Sequence, residues 1–359
     1  MFLHVNYNKE MTFKQKLQRV DFPGNGVLMA SSVAILYALA YAGTVYSWSS
    51  WHTLVPLLVG FAGFFLFGFL QASGISAEPV MPPRLFNNRT SVILSINTWI
   101  NSALVYWGVF FLPVYFQAVK LYSPRRTGVA LLPQSLIAIP GAAIAAMALS
   151  RWGRFKPIHA VGFAIFTLGM GLLTLQKEDT TVAQWAVYQC VCAIGAGMML
   201  NTQLPAFQAP VPEKDQAAAT AAWCFIRSFG FVWGVAIPAA IFNNRIDALV
   251  GSISDPVAAR LLTSGGAYGA ASALEVKQFP PAVQEQIRHV YTQAVQRVFQ
   301  ISIVFAGIAF LLSLVEKEIT LRTNLETEFG LKHEKDKKNG TIDAKESDEE
   351  KGISEEKAV

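Results

Sequence analysis

Charge is scarce in this chain. Only 15% of its 359 residues are charged while 53% are hydrophobic, and the mean hydropathy is +0.37. An ordinary soluble domain carries about 25% charged residues, so this composition excludes a surface built mainly for water. No glycine-rich phosphate loop followed by Lys-Ser or Lys-Thr occurs, no His/Cys cluster at metal spacing and no nucleophile elbow, which removes support for ATP-driven pumping and hydrolysis. The expectation is a protein that is not an enzyme and needs no metal or cofactor. Three cysteines, Cys190, Cys192 and Cys224, all lie in apolar blocks, where they read as small buried hydrophobes. The first twenty residues lack an apolar core, so they are no cleavable signal peptide. Net charge is +5, but the basic residues sit in connections and termini rather than on one face, which argues against nucleic acid as a partner.

The apolar residues gather into about eight blocks, over 27–45, 54–72, 92–116, 129–149, 158–175, 182–204, 217–242 and 299–315. Each matches the roughly 20 residues a helix needs to cross a ~30 Å hydrocarbon core. The partner they imply is the lipid bilayer, and the fold class is an all-α membrane protein. Trp48 and Trp51 suit an interfacial belt. Pro133 and Pro140 predict kinks in the fourth span. A long polar connection covers 243–297, and its last part, 282–298, has the pattern of an amphipathic helix. Residues 317–359 are too polar to build a core and read as a disordered tail.

Orientation follows from lysine and arginine in short loops. One set of ends holds Lys9, Lys14, Lys16, Arg19, Arg84, Arg89, Arg151, Arg154, Lys156 and Lys214; the other holds Lys120, Arg125, Arg126 and Lys177. The richer side is expected in the cytosol, which places both termini there, makes 1–25 a cytosolic segment and leaves the 243–297 connection outside. The sequons at Asn88 and Asn339 then face the cytosol, and neither is expected to carry a glycan.

Polar residues inside spans are the informative ones, because they are costly against lipid and turn toward a bundle interior or wet cavity. Arg227 is the clear intramembrane charge; it reads either as a cavity cation for an anionic substrate group or as a helix-to-helix hydrogen-bonder. Asn97 and Asn101, four residues apart, share a helix face, and Tyr106 and Gln117 follow on the same span. These five are substrate-path candidates, with interhelical bonding as the plainer alternative. No Asp or Glu falls inside a span, and the five histidines fall at ends or in loops. A proton carrier of the usual intramembrane kind is therefore expected to be missing.

Ser150-Arg-Trp-Gly-Arg-Phe-Lys156 resembles the cytoplasmic loop signature Gly-x-Leu-x-Asp-Arg-x-Gly-Arg-Arg of the major facilitator superfamily, in the degenerate form of the second half of those proteins. Arg151, Gly153 and Arg154 match; Ser150 stands where the acid would be, and Ala146 where the first glycine would be. The stretches Leu204 to Gln216, Ala219 to Trp223, Arg227-Ser-Phe-Gly230 and Trp233 to Arg245 are similar to fungal fourteen-span drug:proton antiporters, as are Tyr115-Phe-Gln117, Ser123-Pro124 and Gly128 to Pro133.

This resemblance implies two inserted helices at 26–73 and the C-terminal six-helix half at 90–316, with the N-terminal half missing. It implies efflux of small amphipathic molecules, drugs or toxic metabolites, driven by protons, in the plasma membrane or a vacuolar one. The alternative is a non-transporting membrane remnant with a regulatory or receptor-like role.

Overall fold

The structure is a computed structural model that describes residues 20–42, 45–74, 79–263 and 265–319. The basic stretch 9–19, the tail beyond Ile319 and the Asn339 sequon lie outside the described residues. Among the described residues, eight helices are long and apolar enough to cross a membrane. No strand accompanies them; a single isolated bridge joins Ala42 and Tyr46. In hydrocarbon a helix satisfies its own backbone groups, which an open sheet edge cannot do.

The first helix, α1 (Phe22–Tyr41), starts earlier than hydropathy predicts because Asp21 caps it. Its Oδ1 accepts from the Gly24 N–H at 2.8 Å, and Pro23 sits in the first turn. Asp21 is buried, and its other oxygen accepts from Gln71 Nε2 at 2.6 Å, while Gln71 Oε1 accepts from the Met81 N–H. This chain of bonds ties α1 to the end of α2 (Trp51–Ala72) and to the following loop. The third span is α3 (Arg89–Val114), which runs on through a π-turn at Tyr115–Val119. Asn88 caps it through a bond from the Thr90 N–H at 2.9 Å. The sequon asparagine is thus occupied as a helix cap, and Asn88→Ala is expected to cost about 1 kcal/mol of stability, read by thermal denaturation.

The fourth span is broken at Leu131 into α4 (Pro124–Ala130) and α5 (Leu132–Trp152). The kink expected at Pro133 is not of the interior kind: Pro133 lies in the first turn of α5, where its missing N–H removes no bond. Two spans follow, α6 (Lys156–Leu173) and α7 (Val182–Leu200), the latter begun by a capping box between Thr181 and Gln184. A short α8 (Gln203–Gln208) precedes α9 (Gln216–Leu249). Beyond it lie α10 (Pro256–Leu262), α11 (Ala273–Lys277) and the continuous α12 (Pro281–Val315). The connection expected over 243–297 is accordingly shorter. Its first seven residues continue α9 and its last seventeen belong to α12, the amphipathic segment and final span forming one helix.

Neighbours in space run in the order α5, α7, α6, α12, α3, α9, α1, α2, with α9 also meeting α12. The α1–α2 pair packs chiefly on itself and reaches the rest through α9. The core sits around α3, 67% of whose most apolar window is buried against 17% for α2; α2 instead turns Leu58, Phe65 and Phe69 outward, as lipid requires. At the end opposite the loop signature, Lys120 donates to the carbonyls of Glu178 and Thr180, both at 2.8 Å. Burial, then the charge of Arg288, holds its ammonium below the ordinary lysine value.

Candidate functional site

The loop signature forms a tight turn between α5 and α6. Gly153 ends α5 in the left-handed conformation (φ 64°), donating its N–H to Leu149 O at 2.8 Å. Arg151 and Arg154 are exposed. Ser150, at the acid's position, bonds only back to Met147 O. The acid comes instead from beyond the last span: Glu318 accepts from the backbone N–H groups of Phe155 (2.9 Å) and Lys156 (3.2 Å). A carboxylate there meets the orphan donors and the positive end of the α6 dipole.

Residues 316–319 form a non-helical strap after α12, and further contacts fix the strap and the end of α12. Lys317 N–H donates to Thr90 Oγ1 at 3.1 Å, Arg89 donates to Val315 O at 2.9 Å, and Glu316 enters the core. Glu316 and His159 have fully buried side chains, with His159 Nδ1 2.8 Å from Glu316 Oε2. Asn97 Nδ2 donates to Glu316 Oε1 at 3.0 Å. Both lie at span ends, where the sequence has them, and both are buried. His159 is the fourth residue of α6 and Glu316 the first after α12. Helix packing closes over both. The charged strap was read as the start of a disordered tail. The available signal was an acid directly abutting an apolar run, an expensive place for an unpaired charge.

Arg227 lies on the α9 face toward α3. Its guanidinium carbon is 5.4 Å from the ring centre of Trp223 and 5.6 Å from that of Phe231. No hydrogen bond or ion pair reaches it among the described residues. Phe231 in turn stacks on Tyr106 at 4.2 Å and 17°, so Tyr106 belongs to the same aromatic cradle. Trp223 is locked by donating its Nε1 proton to Thr98 Oγ1 at 3.1 Å. Helix α9 approaches α3 this closely because Gly230 and Gly234 face it. A Cβ on Gly230 would lie 2.6 Å from Trp99 O, and one on Gly234 would run into Ala103 O.

The other sequence candidates separate. Asn97 belongs to the Glu316 cluster, Asn101 is buried with its Oδ1 unpartnered, and Gln117 is half-buried in the π-turn at the far end of α3. On the side of α9 facing α1 and α2, Phe64, Phe67, Trp99, Phe225 and Phe229 line an apolar cleft of about 330 Å³, a size within the usual range of ligand pockets.

Eight apolar helices, of which α3 is the most buried, define a multi-pass integral membrane protein. By sequence the chain is similar to MFS-type transporters. It is 63% identical over 336 residues to the MFS-type transporter TwmF of Talaromyces wortmannii, covering 93% of this chain and 61% of that protein. It is 41% identical to the MFS efflux transporter aclA of Aspergillus oryzae, covering 92% and 60%. The MFS-type efflux transporter phmH of Phaeosphaeria nodorum matches at 41%, covering 98% and 61%. The chain thus spans about three fifths of the length of the curated relatives it matches. No protein-family model matches it. A solved structure of a bacterial homolog of the human lysosomal transporter Spinster overlays with a TM-score of 0.49 at 15% identity, covering 82% of this chain and 67% of that one.

Proposed function

We propose that this chain is the C-terminal part of an exporter of small amphipathic molecules. In this reading α1 and α2 are the inserted pair, while α3, α4–α5, α6, α7, α9 and α12 form one six-helix half. That half rocks against an N-terminal half around a midplane site. Both ends of the chain and the loop signature face the cytosol, the membrane is the plasma membrane and the driving force is a proton gradient.

The observation that carries the reading is Arg227, an intramembrane cation that, among the described residues, is held by aromatic rings and by no hydrogen bond or ion pair. Such a charge is expensive unless something completes its partners. A passing anionic or electron-rich group can do so, and the aromatic surface around it suits the apolar remainder of an amphipathic molecule. The efflux names of the relatives agree with this direction of transport.

The test is export from cells or inside-out vesicles carrying the chain joined to the N-terminal two fifths of a relative. Arg227→Ala is expected to lower export at least about tenfold, the equivalent of one desolvated cation–π contact, with normal membrane levels; Arg227→Lys should retain part of it. Unchanged export by Arg227→Ala would remove Arg227 from the substrate path.

A further inference from the structure

We infer that Glu316, His159 and Asn97 form a proton-binding site, whose occupancy decides how firmly the 316–319 strap holds the ends of α3, α6 and α12 together. Both oxygens of Glu316 are engaged, Oε1 by the Asn97 amide at 3.0 Å and Oε2 by His159 Nδ1 at 2.8 Å. An ionised Glu316 requires a proton on His159 Nδ1, because both carboxylate oxygens only accept. The basic atom left over is His159 Nε2, which is buried and has no hydrogen-bond partner among the described residues. The site therefore has two states of the same geometry. With Nε2 bare the cluster carries one buried negative charge; with a proton on Nε2 it is an imidazolium–carboxylate pair with no net charge. Moving the existing proton from Nδ1 to Glu316 leaves the total unchanged, so the count of bound protons, and not their placement, sets the charge.

Among the described residues, the ion pair of Glu316 is the one with His159. Arg89 on α3 is committed to Val315 O. Lys156 on α6 contributes its backbone N–H to Glu318, and Lys317 on the strap contributes backbone to Thr90. An isolated buried charge is costly, whereas a paired one is tolerated. The protonated state therefore holds the strap more firmly, and the hold weakens as rising pH removes the proton. Glu318 belongs to the same strap and caps α6 beside the loop signature, so loosening would free that turn as well. Proton binding stands on this geometry alone; its use in coupling to export rests on the function proposed above.

Hydrogen exchange on the whole chain in lipid nanodiscs separates the two. Protection of residues 155–160 and 316–319, corrected for the intrinsic pH dependence of exchange, is followed from about pH 5 to about pH 8. The wild-type chain is expected to lose protection with rising pH, by up to about tenfold per unit, the limit for one linked proton. Glu316→Gln should reverse the slope, because a protonated His159 then has no counter-charge and the neutral ring is preferred. His159→Gln should flatten it. Protection that does not depend on pH in the wild-type chain overturns the proposal and makes the cluster a static tie, whether or not either variant folds. Loss of export by a variant that keeps these slopes would bear on the transport reading and not on the proton site.

Discussion

Replacing Glu316 by alanine is expected to destabilise the chain by about 3–5 kcal/mol, the usual cost of removing one member of a buried charged pair. His159 and the Asn97 amide would be left without their acceptor in a place that water does not reach. The strap would also lose the contact that anchors it in the core, leaving Thr90 and Glu318 to hold it. His159→Leu should cost a similar amount for the opposite reason, a buried carboxylate without its donor. The double replacement Glu316→Leu with His159→Leu should be much milder than the sum, since apolar groups of similar size often replace a buried pair at little cost. Thermal unfolding of the detergent-purified chain reads all three. Single variants within about 1 kcal/mol of wild type, the range of exposed pairs, would mean that Glu316 reaches solvent.

The second large effect lies at the α3–α9 contact. Gly234→Leu must push a side chain into the backbone of Ala103 and against Tyr106 Cβ, 2.8 Å from the position of the first added carbon. Neither obstacle is the free end of a flexible chain, so the helices must separate. Overpacking of this kind costs about 1–3 kcal/mol where the surroundings can shift; backbone against backbone places this case at the upper end or beyond. Separation also pulls Phe231 from Tyr106 and so opens the cradle around Arg227. We expect loss of monodisperse protein or a fall of several degrees in melting temperature, together with loss of export in the joined transporter. Gly171→Leu is the control, for nothing lies within 4 Å of its would-be Cβ. Equal effects at the two positions would show that close approach at Gly234 does not matter.

Gly171 also marks the limit of reading packing from composition. Gly169-Met-Gly171 and Gly195-Ala-Gly197 both read as sites of close helix approach. Gly169, Gly195 and Gly197 do press on the backbones of Cys192, Phe166 and Ala138, while Gly171 faces open space. Local sequence cannot say which side of a helix its neighbours occupy.

The helices themselves were legible, since eight apolar blocks of membrane length became eight candidate spans. Their ends were less so, because caps and not hydropathy set them: Asp21 starts α1 five residues before the apolar block, and α12 begins eighteen residues before its own. Arg227 stood out because a charge amid apolar residues is visible in one dimension. The Glu316 cluster did not, because its parts come from three helices far apart in the chain, and packing brings them together. Glu318 in the place of the missing loop acid is the same kind of fact.

The central claim is that this chain supplies one half of an exporter and that Arg227 lies on the path. The most direct test is export of a fluorescent amphipathic anion from inside-out vesicles, measured for the chain alone and for the chain joined to the N-terminal two fifths of a relative. The account predicts no export by the chain alone, proton-driven export by the joined protein, and loss of that export in the joined Arg227→Ala protein. Export by the chain alone at the joined protein's rate, or a folded joined protein indifferent to Arg227, would contradict it.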